Sequence, residues 1–399
     1  MGSGKSSWAC QYVLSNVDKN FLYITPFLKE ISDFVDDTNK LDRKFKTPIN
    51  NGSGKLESLN NLISNEDDIA ATHALFRQVD KETLLLLHEH KYILILDEVL
   101  DVIEPFPIKP SDIKLLTDGD YINIDDFGVV HWKEEKSDYD GKHNDVKNLA
   151  ENKCLVRVNG CFYIWKYPSE IFSLFDEVYV LTYLFNGSIL KAYFDLNRLQ
   201  YTTKSVKEIT LRKYELCEYY KPNTSTYKDL IEIYEGPENH NVSKSDYALS
   251  VSWFKNSKNK ERVHQLKNNL ENIYRRKWQA KAESVLWTTF DNEKFKGKAR
   301  LKGKGYTNGF IACNSRCTDD YQDTCYLAYC ANIYVNPYLL DYFEDHKVDV
   351  GRDFEELYAT AQILQWIFRS RIRKPVKEKI WIYVPSKRMR RLLNEWVGR

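Results

Sequence analysis

The chain has 399 residues, of which 29% are charged, and its formal net charge at pH 7 is +1. This length suits two or three domains with buried cores, and the balanced charge excludes a global attraction to nucleic acids, so any such contact must be local. The longest apolar runs are far too short to span a bilayer, and no signal peptide is visible. Eight scattered cysteines suit a reducing cytoplasm.

A short glycine-rich segment, MGSGKSS, stands at residues 1–7 ahead of a predicted helix. Its residues match the end of a phosphate-binding loop, whose backbone N–H groups bind phosphates at a helix N-terminus. In such a loop Lys5 would reach the β- and γ-phosphates and Ser6 would hold Mg²⁺. A chance match in an irregular N-terminus is the alternative. The phosphate-loop reading predicts a site for ATP and Mg²⁺ formed by Gly2, Gly4, Lys5, Ser6 and Ser7.

The complete phosphate-loop pattern contains one more glycine and a buried strand ahead of the loop, and the sequence includes neither. Either the chain is a fragment or its start is misplaced, or the loop works without this strand. A second GSGK lies at Gly52–Lys55, where two asparagines precede it rather than an apolar strand. We therefore interpret the second copy as a flexible turn.

The strongest local pattern is KYILILDEV at Lys91–Val99. An apolar run that ends in two carboxylates is typical of a buried parallel strand that delivers Asp97 and Glu98 to its carboxyl end. Phosphoryl transfer uses one carboxylate near Mg²⁺ and another that activates water. The alternative is a strand followed by an acidic helix N-terminus, which needs no nucleotide.

The remaining pattern divides the chain into two α/β halves. Residues 104–175 are interpreted as a β-rich insertion, in which CLVRV and CFYIW flank a two-residue turn at Asn159 and Gly160. A polar linker is predicted at Gly236–Asp246. Other predicted strands are Phe21–Pro26, Glu177–Phe185, Leu249–Phe254 and Lys379–Val384, predicted helices are Ser257–Ala282, Asp353–Phe368 and Lys387–Val397, and Phe27–Lys55 is interpreted as polar and turn-rich.

Several further groups have two interpretations. The basic segments at residues 294–304 and 387–391 either bind phosphates or are solvated charges. His73 either contacts a nucleic-acid backbone or caps a loop, and Trp366 and Trp381 are predicted to be core residues. Four cysteines lack the CxxC spacing of zinc knuckles, so burial is favoured over a zinc site for Cys313, Cys317, Cys325 and Cys330.

Five segments resemble, in chain order, the motifs of superfamily 2 helicase-type ATPases, and more closely those of helicase-like proteins of phages and mobile elements. They are Thr72–Phe76, Asp97–Val99, Leu181–Phe185, Gln365–Arg373 and Ile382–Arg390. The resemblance implies an α/β fold of two RecA-like P-loop NTPase domains with mainly parallel sheets. The first domain would span residues 1–235 with the insertion at 104–175, followed by the linker at 236–246 and a second domain at 247–399.

The resemblance also implies roles for individual residues. Asp97 would hold Mg²⁺ and Glu98 would activate the attacking water. Thr182 would couple hydrolysis to domain motion. Gln365 and Arg369 would approach the γ-phosphate from the second domain, with Arg369 acting as an arginine finger that stabilises transition-state charge.

Two positions depart from the C-terminal motif of the family. Ile372 stands where the usual second arginine lies, so Arg371 and Arg373 are the candidates to complete the motif as nucleotide contacts, and Phe368 replaces the usual glycine. A solvated basic helix end is the alternative interpretation of these arginines. The loop residues expected to contact a nucleic-acid backbone are Thr25, Thr72, His73, Arg316 and Thr318.

The resemblance implies an ATP-dependent DNA helicase or translocase in phage or mobile-element replication, with ATP and Mg²⁺ as cofactors. ATP would lie between the two domains, and their closure and reopening would move a DNA strand. Single-stranded or forked DNA and replication proteins are the expected partners, without a membrane, in the cytoplasm of a bacterial or phage-infected host. The alternative is a helicase-like nucleic-acid-binding regulatory protein with weak or no ATPase activity.

Overall fold

Two compact units make up the chain. The structure is a computed structural model that describes residues 4–50, 52, 54–160, 162–291, 296–313, 321–374, 376 and 378–398. The first unit comprises residues 4–218 and 336–350, and the second unit comprises residues 219–335 and 351–398. The α/β class with mainly parallel sheets, predicted from the sequence, is confirmed in both units.

The first unit is built around a parallel sheet. Its early elements are α1 (Lys5–Ser15), β1 (Asn20–Thr25), α2 (Leu28–Asn39), α3 (Lys55–Ser64), β2 (Ile69–Thr72), α4 (His73–Phe76), α5 (Lys81–Glu89) and β3 (Tyr92–Asp97). After the insertion follow β9 (Glu177–Leu181) and α8 (Ile189–Leu196). The strand order is β2-β1-β3-β9, and all neighbours are parallel. β1 and β3 are almost entirely buried, as expected for central strands covered on both faces.

The insertion between β3 and β9 has its own hydrophobic core. It contains β4 (Ile103–Pro105), α6 (Pro110–Asp118), β5 (Ile122–Ile124), β6 (Val130–Trp132), α7 (Asn144–Glu151), β7 (Leu155–Val158) and β8 (Phe162–Lys166). β7 and β8 pair antiparallel around Asn159 and Gly160, whose φ angles are 48° and 72°. The predicted hairpin is therefore confirmed, because both turn residues have the positive φ that a type I′ turn requires.

A second hairpin follows α8. Strands β10 (Lys204–Thr210) and β11 (Lys213–Glu218) pair antiparallel and form a two-stranded sheet of their own. Val206 and Tyr214 are partly buried and pack against the hydrophobic core that contains Trp8 of α1. The hairpin is thus attached to the first unit through α1.

The second unit has a four-stranded parallel sheet of order β12-β15-β14-β13. None of the helices within the described ranges combines the length and the apolar character that a bilayer span requires. The elements of this unit are β12 (Ile231–Ile233), α9 (Val251–Lys255), α10 (Lys260–Asn272), β13 (Val285–Thr288), α11 (Gly297–Leu301), β14 (Tyr326–Tyr329), α13 (Arg352–Ile367), β15 (Ile380–Tyr383) and α14 (Lys387–Val397).

One helix from the later part of the chain belongs to the first unit. α12 (Pro337–Asp345) lies in the segment 336–350 that clusters with residues 4–218. The ring of Tyr338 stacks on Phe162 at 3.4 Å between centroids, and Asn159 Nδ2 donates to Asp341 Oδ2 at 3.2 Å. The contacts join α12 to the β7–β8 hairpin of the insertion.

The unit boundaries differ from those expected from the sequence. Residues 219–235 were expected in the first domain, but β12 pairs with β15 in the second sheet, with Ile231 opposite Ile380. Residues 336–350 were expected in the second domain and belong to the first unit. Each segment follows its contacts: β12 pairs with β15, and α12 contacts the β7–β8 hairpin.

Several local predictions also need correction. Leu249–Phe254, predicted as a strand, contains α9, because the Ser250 side chain accepts a hydrogen bond from Trp253 N and caps a helix. The turn-rich segment after β1 contains α2, which buries Ile31 and Phe34 on one face. The second GSGK is not only a turn, since Gly54 is the N-cap residue of α3.

Candidate nucleotide site

The predicted phosphate loop lies at the N-terminus of α1. Gly4 is the N-cap residue with φ 78°, and its carbonyl accepts a hydrogen bond from Trp8 N at 2.8 Å. Lys5 is half-buried, whereas Ser6 and Ser7 are exposed. The N-terminus of a helix concentrates N–H donors and the positive end of the helix dipole, so this position suits an anion. Gly2 lies outside the described residues.

The structure brings Ser6 and Asp97 together. Ser6 Oγ donates to Asp97 Oδ2 at 3.2 Å, although the two residues are 91 positions apart. The same carboxylate oxygen accepts a hydrogen bond from the Tyr23 hydroxyl at 2.5 Å. Tyr23 is buried and stacks on Phe34 with 3.7 Å between ring centroids, which fixes the phenol that holds Asp97.

Lys5 is electrostatically coupled to both carboxylates. Burial lowers the pKa of Lys5 below its ordinary value, while the negative charges of Glu98 and Asp97 act in the opposite direction. Burial removes hydration from the ammonium group, and the two neighbouring carboxylates partly offset that cost. A polyanionic ligand would supply further negative charge and would relieve that cost.

Glu98 adopts an unusual backbone conformation. Its φ is 71°, and its N–H donates to Leu181 O of β9 at 3.1 Å. A left-handed conformation costs a non-glycine residue roughly 1–2 kcal/mol, and such residues cluster at functional sites. Thr182 follows directly after β9 and is half-buried, and Leu184 has φ 56°. The carboxyl ends of β3 and β9 therefore both carry strained connections.

Two residues expected at a nucleic-acid backbone lie side by side. Thr25 ends β1 and Thr72 ends β2, and the two are register partners. Thr25 Oγ1 donates to Glu30 Oε2 at 2.5 Å, and Thr72 Oγ1 accepts from Leu75 N at 3.2 Å and caps α4. His73 is buried in the first turn of α4. The predicted residues Arg316 and Thr318 lie outside the described residues.

The predicted residues of the second unit follow α13 or lie in it. Gln365 is half-buried within the helix, and Arg369 just beyond it is only 9% exposed. The Arg369 charge is close enough to Tyr329 to lower its pKa, although burial dominates and the net pKa of Tyr329 is raised. Arg371 Nε donates to Lys379 O at 2.8 Å, its guanidinium pairs with Glu378 at 3.2 Å, and Arg373 is exposed.

Two arginines of the basic segment 387–391 have structural roles. Arg388 Nη1 donates to Ile333 O at 2.7 Å, and Arg390 Nη1 donates to Val384 O at 2.8 Å. Both guanidinium groups are thus buried inside the second unit instead of being presented to phosphates. Within the described ranges no group of three or more His, Cys, Asp or Glu residues is placed to hold a metal ion. Cys317 and residues 294–295 lie outside those ranges. The other three cysteines of the set, Cys313, Cys325 and Cys330, are buried, and so is Trp366.

Sequence reasoning missed the residues that support the loop. Tyr23 is one tyrosine among 27, and its neighbours in the continuously buried strand β1 do not distinguish it. Gln11 and Tyr214 contact each other across 203 positions, and no sequence pattern links them. A sheet-face argument could have found Tyr23, whereas the second pair required the tertiary structure.

A relative from Bacillus subtilis (strain 168), described as "SPbeta prophage-derived uncharacterized protein YonV", is 36% identical over 413 residues. The match spans 100% of this chain and 97% of that protein. The chain belongs to the YonV family. The profile described as the YonV C-terminal Rossmann-like domain matches residues 225–397, and that of the YonV middle domain matches residues 103–165. The middle-domain match coincides with the insertion from β4 to β8.

Among solved structures, one described as "Structure of S. tokodaii Xpd4" aligns with a TM-score of 0.49 and 14% identity. The alignment covers 100% of this chain and 92% of that chain. Another, described as "XPD_APO", gives a TM-score of 0.47 and 13% identity over 96% of this chain and 90% of that chain. At these values the likeness is partial and assigns no activity to a member of the YonV family.

Proposed function

We propose that the chain is an ATP-dependent DNA helicase or translocase built from two RecA-like P-loop NTPase domains, acting in phage or mobile-element replication. One observation carries this proposal: Ser6 Oγ lies 3.2 Å from Asp97 Oδ2 at the N-terminus of α1, with Lys5 coupled to Asp97 and Glu98. A hydroxyl, a lysine and two carboxylates at one helix N-terminus are the groups that nucleotide hydrolysis uses. The prophage origin of the relative supports the phage context.

The residues present fit ATP with Mg²⁺. The Ser6 hydroxyl and the Asp97 carboxylate offer hard oxygen ligands, which Mg²⁺ prefers together with phosphate oxygens and water. Mg²⁺, when bound there, would neutralise part of the negative charge of the triphosphate. Gly2, Gly4, Lys5 and Ser7 would bind the phosphates, Lys5 through its ammonium group and the others through backbone N–H groups.

The remaining roles follow the same proposal. Glu98 accepts a proton from the attacking water. The hydrogen bond from the Glu98 N–H to Leu181 O keeps this residue at the end of β3. Arg369 and Gln365 stabilise the charge that develops on the γ-phosphate. Thr182, directly after β9, couples hydrolysis to domain motion. Arg371 and Arg373 are the weaker candidates for nucleotide contact, because the Arg371 guanidinium is already engaged by Glu378 and Lys379.

The partner in this proposal is single-stranded or forked DNA. Thr25 and Thr72 stand together at the carboxyl edge of the first sheet, and loops at this edge of parallel sheets are common ligand sites. His73, Arg316 and Thr318 are proposed as further contacts to the DNA backbone. Replication proteins are proposed partners, and the proposed location is the host cytoplasm.

The test is ATP hydrolysis by the full chain with and without single-stranded DNA. We expect Lys5→Ala to lose ATP binding, and Glu98→Gln to retain binding but to lose hydrolysis by a factor of about 100 or more. Lys55→Ala is the matched control, because Lys55 follows the same GSG sequence at the start of α3. Unchanged hydrolysis in both site variants would exclude the proposal.

A nucleic-acid-binding regulatory protein with weak or no ATPase activity is the second candidate. The engagement of Arg371 with Glu378 and Lys379 favours it, since this motif arginine is held by its own unit. Tight DNA binding that is independent of ATP and unaffected by Lys5→Ala would select this function over the first.

A further inference from the structure

The β10–β11 hairpin contacts the phosphate loop. A Cβ added to Gly4 would lie 2.2 Å from Tyr214 Cε1 and 2.5 Å from Tyr214 Cδ1. The tyrosine ring therefore occupies the space beside the Gly4 Cα atom, where any larger residue would collide with it. The φ of 78° at Gly4 separately favours glycine. Both observations make Gly4 the point at which the hairpin and the loop meet.

A side-chain amide joins the same two elements. Gln11 Nε2 on α1 donates to Arg212 O at 2.6 Å, and Gln11 Oε1 accepts from Tyr214 N at 3.0 Å. One amide thus satisfies a carbonyl and an N–H group of the hairpin backbone, as a neighbouring strand would. The ring contact lies at Gly4, the N-cap residue of α1, and the amide contact lies within α1, between one and two helical turns later.

The hairpin end is itself well ordered by hydrogen bonds. Arg212 has φ 60°, and its N–H donates to Glu208 Oε1 at 2.8 Å. A two-stranded hairpin is marginally stable alone, so its packing against α1 is what maintains it. Val206 and Tyr214 supply this packing on the face toward the core of the first unit, while Leu211 at the tip is 89% exposed.

We infer that the β10–β11 hairpin is a brace that holds the phosphate loop in its binding conformation, with Tyr214 and Gln11 as positioning residues. This inference rests on the proposed function. The N–H groups of the first turn of α1 point toward a phosphate only while Gly4 keeps its left-handed conformation. The Tyr214 ring packs beside Gly4, and Gln11 fixes α1 to the hairpin. Neither side chain is placed to exchange a proton with the nucleotide.

A brace makes a specific kinetic prediction. Removing the Tyr214 ring loosens the phosphate-binding N–H groups but leaves Asp97 and Glu98 in place. Binding of the ground state and of the transition state then weaken together, so KM rises while kcat stays constant. A residue that acted only by maintaining the fold would lower the active fraction, and therefore kcat, without changing KM.

The experiment measures MgATP affinity and hydrolysis of the full chain for Tyr214→Ala, Tyr214→Phe and Gln11→Ala. We expect the two alanine variants to raise KM and Kd about tenfold with kcat within about twofold of wild type. Tyr214→Phe is expected to restore both constants, because ring carbons approach Gly4. Leu211→Ser, at the exposed tip, is the control that keeps wild-type constants.

Hydrogen exchange of the nucleotide-free chain gives an independent readout. We expect Tyr214→Ala to accelerate exchange of the amides in the first two turns of α1 and to leave those of β14 unchanged. If Tyr214→Ala changed neither the exchange rates nor KM, the brace would be overturned. The proposed function would still stand as long as the wild-type chain binds ATP. Absence of ATP binding by the wild-type chain would overturn the proposed function and the nucleotide role of the brace with it.

Discussion

The guanidinium of Arg43 forms two hydrogen bonds with the carboxylate of Asp68, from Nε to Oδ2 at 2.6 Å and from Nη2 to Oδ1 at 2.9 Å. The side chains are 9% and 13% exposed. Arg43 Nη1 also donates to Val13 O and Asn16 O at 2.6 and 2.7 Å, which are carbonyls at the carboxyl end of α1. The pair therefore ties the far end of the phosphate-loop helix to the segment that leads into β2.

Arg43→Ala is expected to destabilise the first unit by about 3–5 kcal/mol, because it leaves the Asp68 carboxylate buried without its cation. The loss is measured by urea unfolding, with hydrogen exchange of amides in the first unit as the readout. Lys40→Ala is the control, since Lys40 and Asp37 form an exposed pair whose loss costs at most about 1 kcal/mol. Equal stability of the two variants would contradict this prediction.

Tyr23→Phe is expected to lower the affinity for Mg²⁺, so that ATP binding requires a higher Mg²⁺ concentration. The variant removes the hydroxyl that donates to Asp97 Oδ2 but keeps the ring that stacks on Phe34. Loss of a supporting hydrogen bond to a metal ligand costs about 10- to 100-fold in metal affinity. Titration of MgCl₂ at fixed ATP concentration measures the shift.

The control for this variant is Tyr92→Phe. The Tyr92 hydroxyl donates to Asp67 O at 2.9 Å, and Tyr92 stands at the opposite end of β3 from Asp97. Its loss lowers stability by about 1 kcal/mol and leaves the Mg²⁺ titration unchanged. A shift of equal size in both variants would show that Tyr23 acts through stability alone.

The affinity for ATP is expected to decrease at alkaline pH through Lys5. Burial places the pKa of Lys5 below its ordinary value. The ammonium therefore loses its proton, and the triphosphate loses its partner, at a lower pH than for an exposed lysine. Isothermal titration between about pH 7 and about pH 10 measures the decline.

Lys5→Arg distinguishes the loss of the Lys5 proton from other effects of alkaline pH on ATP affinity. A guanidinium stays protonated throughout the range, so its ATP affinity should remain flat even where it is weaker at neutral pH. Lys55→Arg should retain the wild-type profile. A wild-type affinity that is constant over the whole range would contradict a role for Lys5 in phosphate binding.

Arg388→Ala is expected to lower the stability of the second unit without changing intrinsic DNA affinity. The guanidinium is buried, donates to Ile333 O at 2.7 Å and lies 4.2 Å from the centroid of the Tyr334 ring. Its removal leaves this carbonyl without its partner, at a cost of about 2–4 kcal/mol. Thermal unfolding measures the loss, and Lys387→Ala, in an exposed pair with Asp246, is the control.

DNA titrations corrected for the folded fraction complete this prediction. Folded Arg388→Ala chains should bind single-stranded DNA as the wild type does, because the side chain points into the unit. Weaker binding by the folded fraction, with a smaller dependence on salt, would instead show that Arg388 contacts a phosphate.

The part of the candidate site formed by Lys5, Ser6, Asp97 and Glu98 was predictable from the sequence because its signals are local. The apolar run of β3 ends at Asp97, and the GKSS segment opens α1, so two short patterns placed Lys5, Ser6 and both carboxylates. Helix α14 was predicted at its observed bounds, because Lys387–Val397 has a continuous amphipathic pattern and a serine cap. A local sequence pattern is enough to predict a residue's place when its burial follows from its position within one helix or strand.

The supporting half was not predictable, because its contacts are distant in sequence. Gly4 and Tyr214 meet only after the whole insertion has been placed, and Asp341 reaches Asn159 from a segment expected in another domain. α2 shows the opposite case. Its buried Ile31 and Phe34 are three positions apart, so a helical period was present but was masked by the polar residues around it.

The placement of α12 has a consequence for biosynthesis. From residue 4 to residue 398, the chain passes from one unit to the other after residues 218, 335 and 350. During translation the amino-terminal unit therefore remains incomplete until its last segment has left the ribosome, although most of its residues were made long before. Phe162 lacks its stacking partner Tyr338 until that segment has been made.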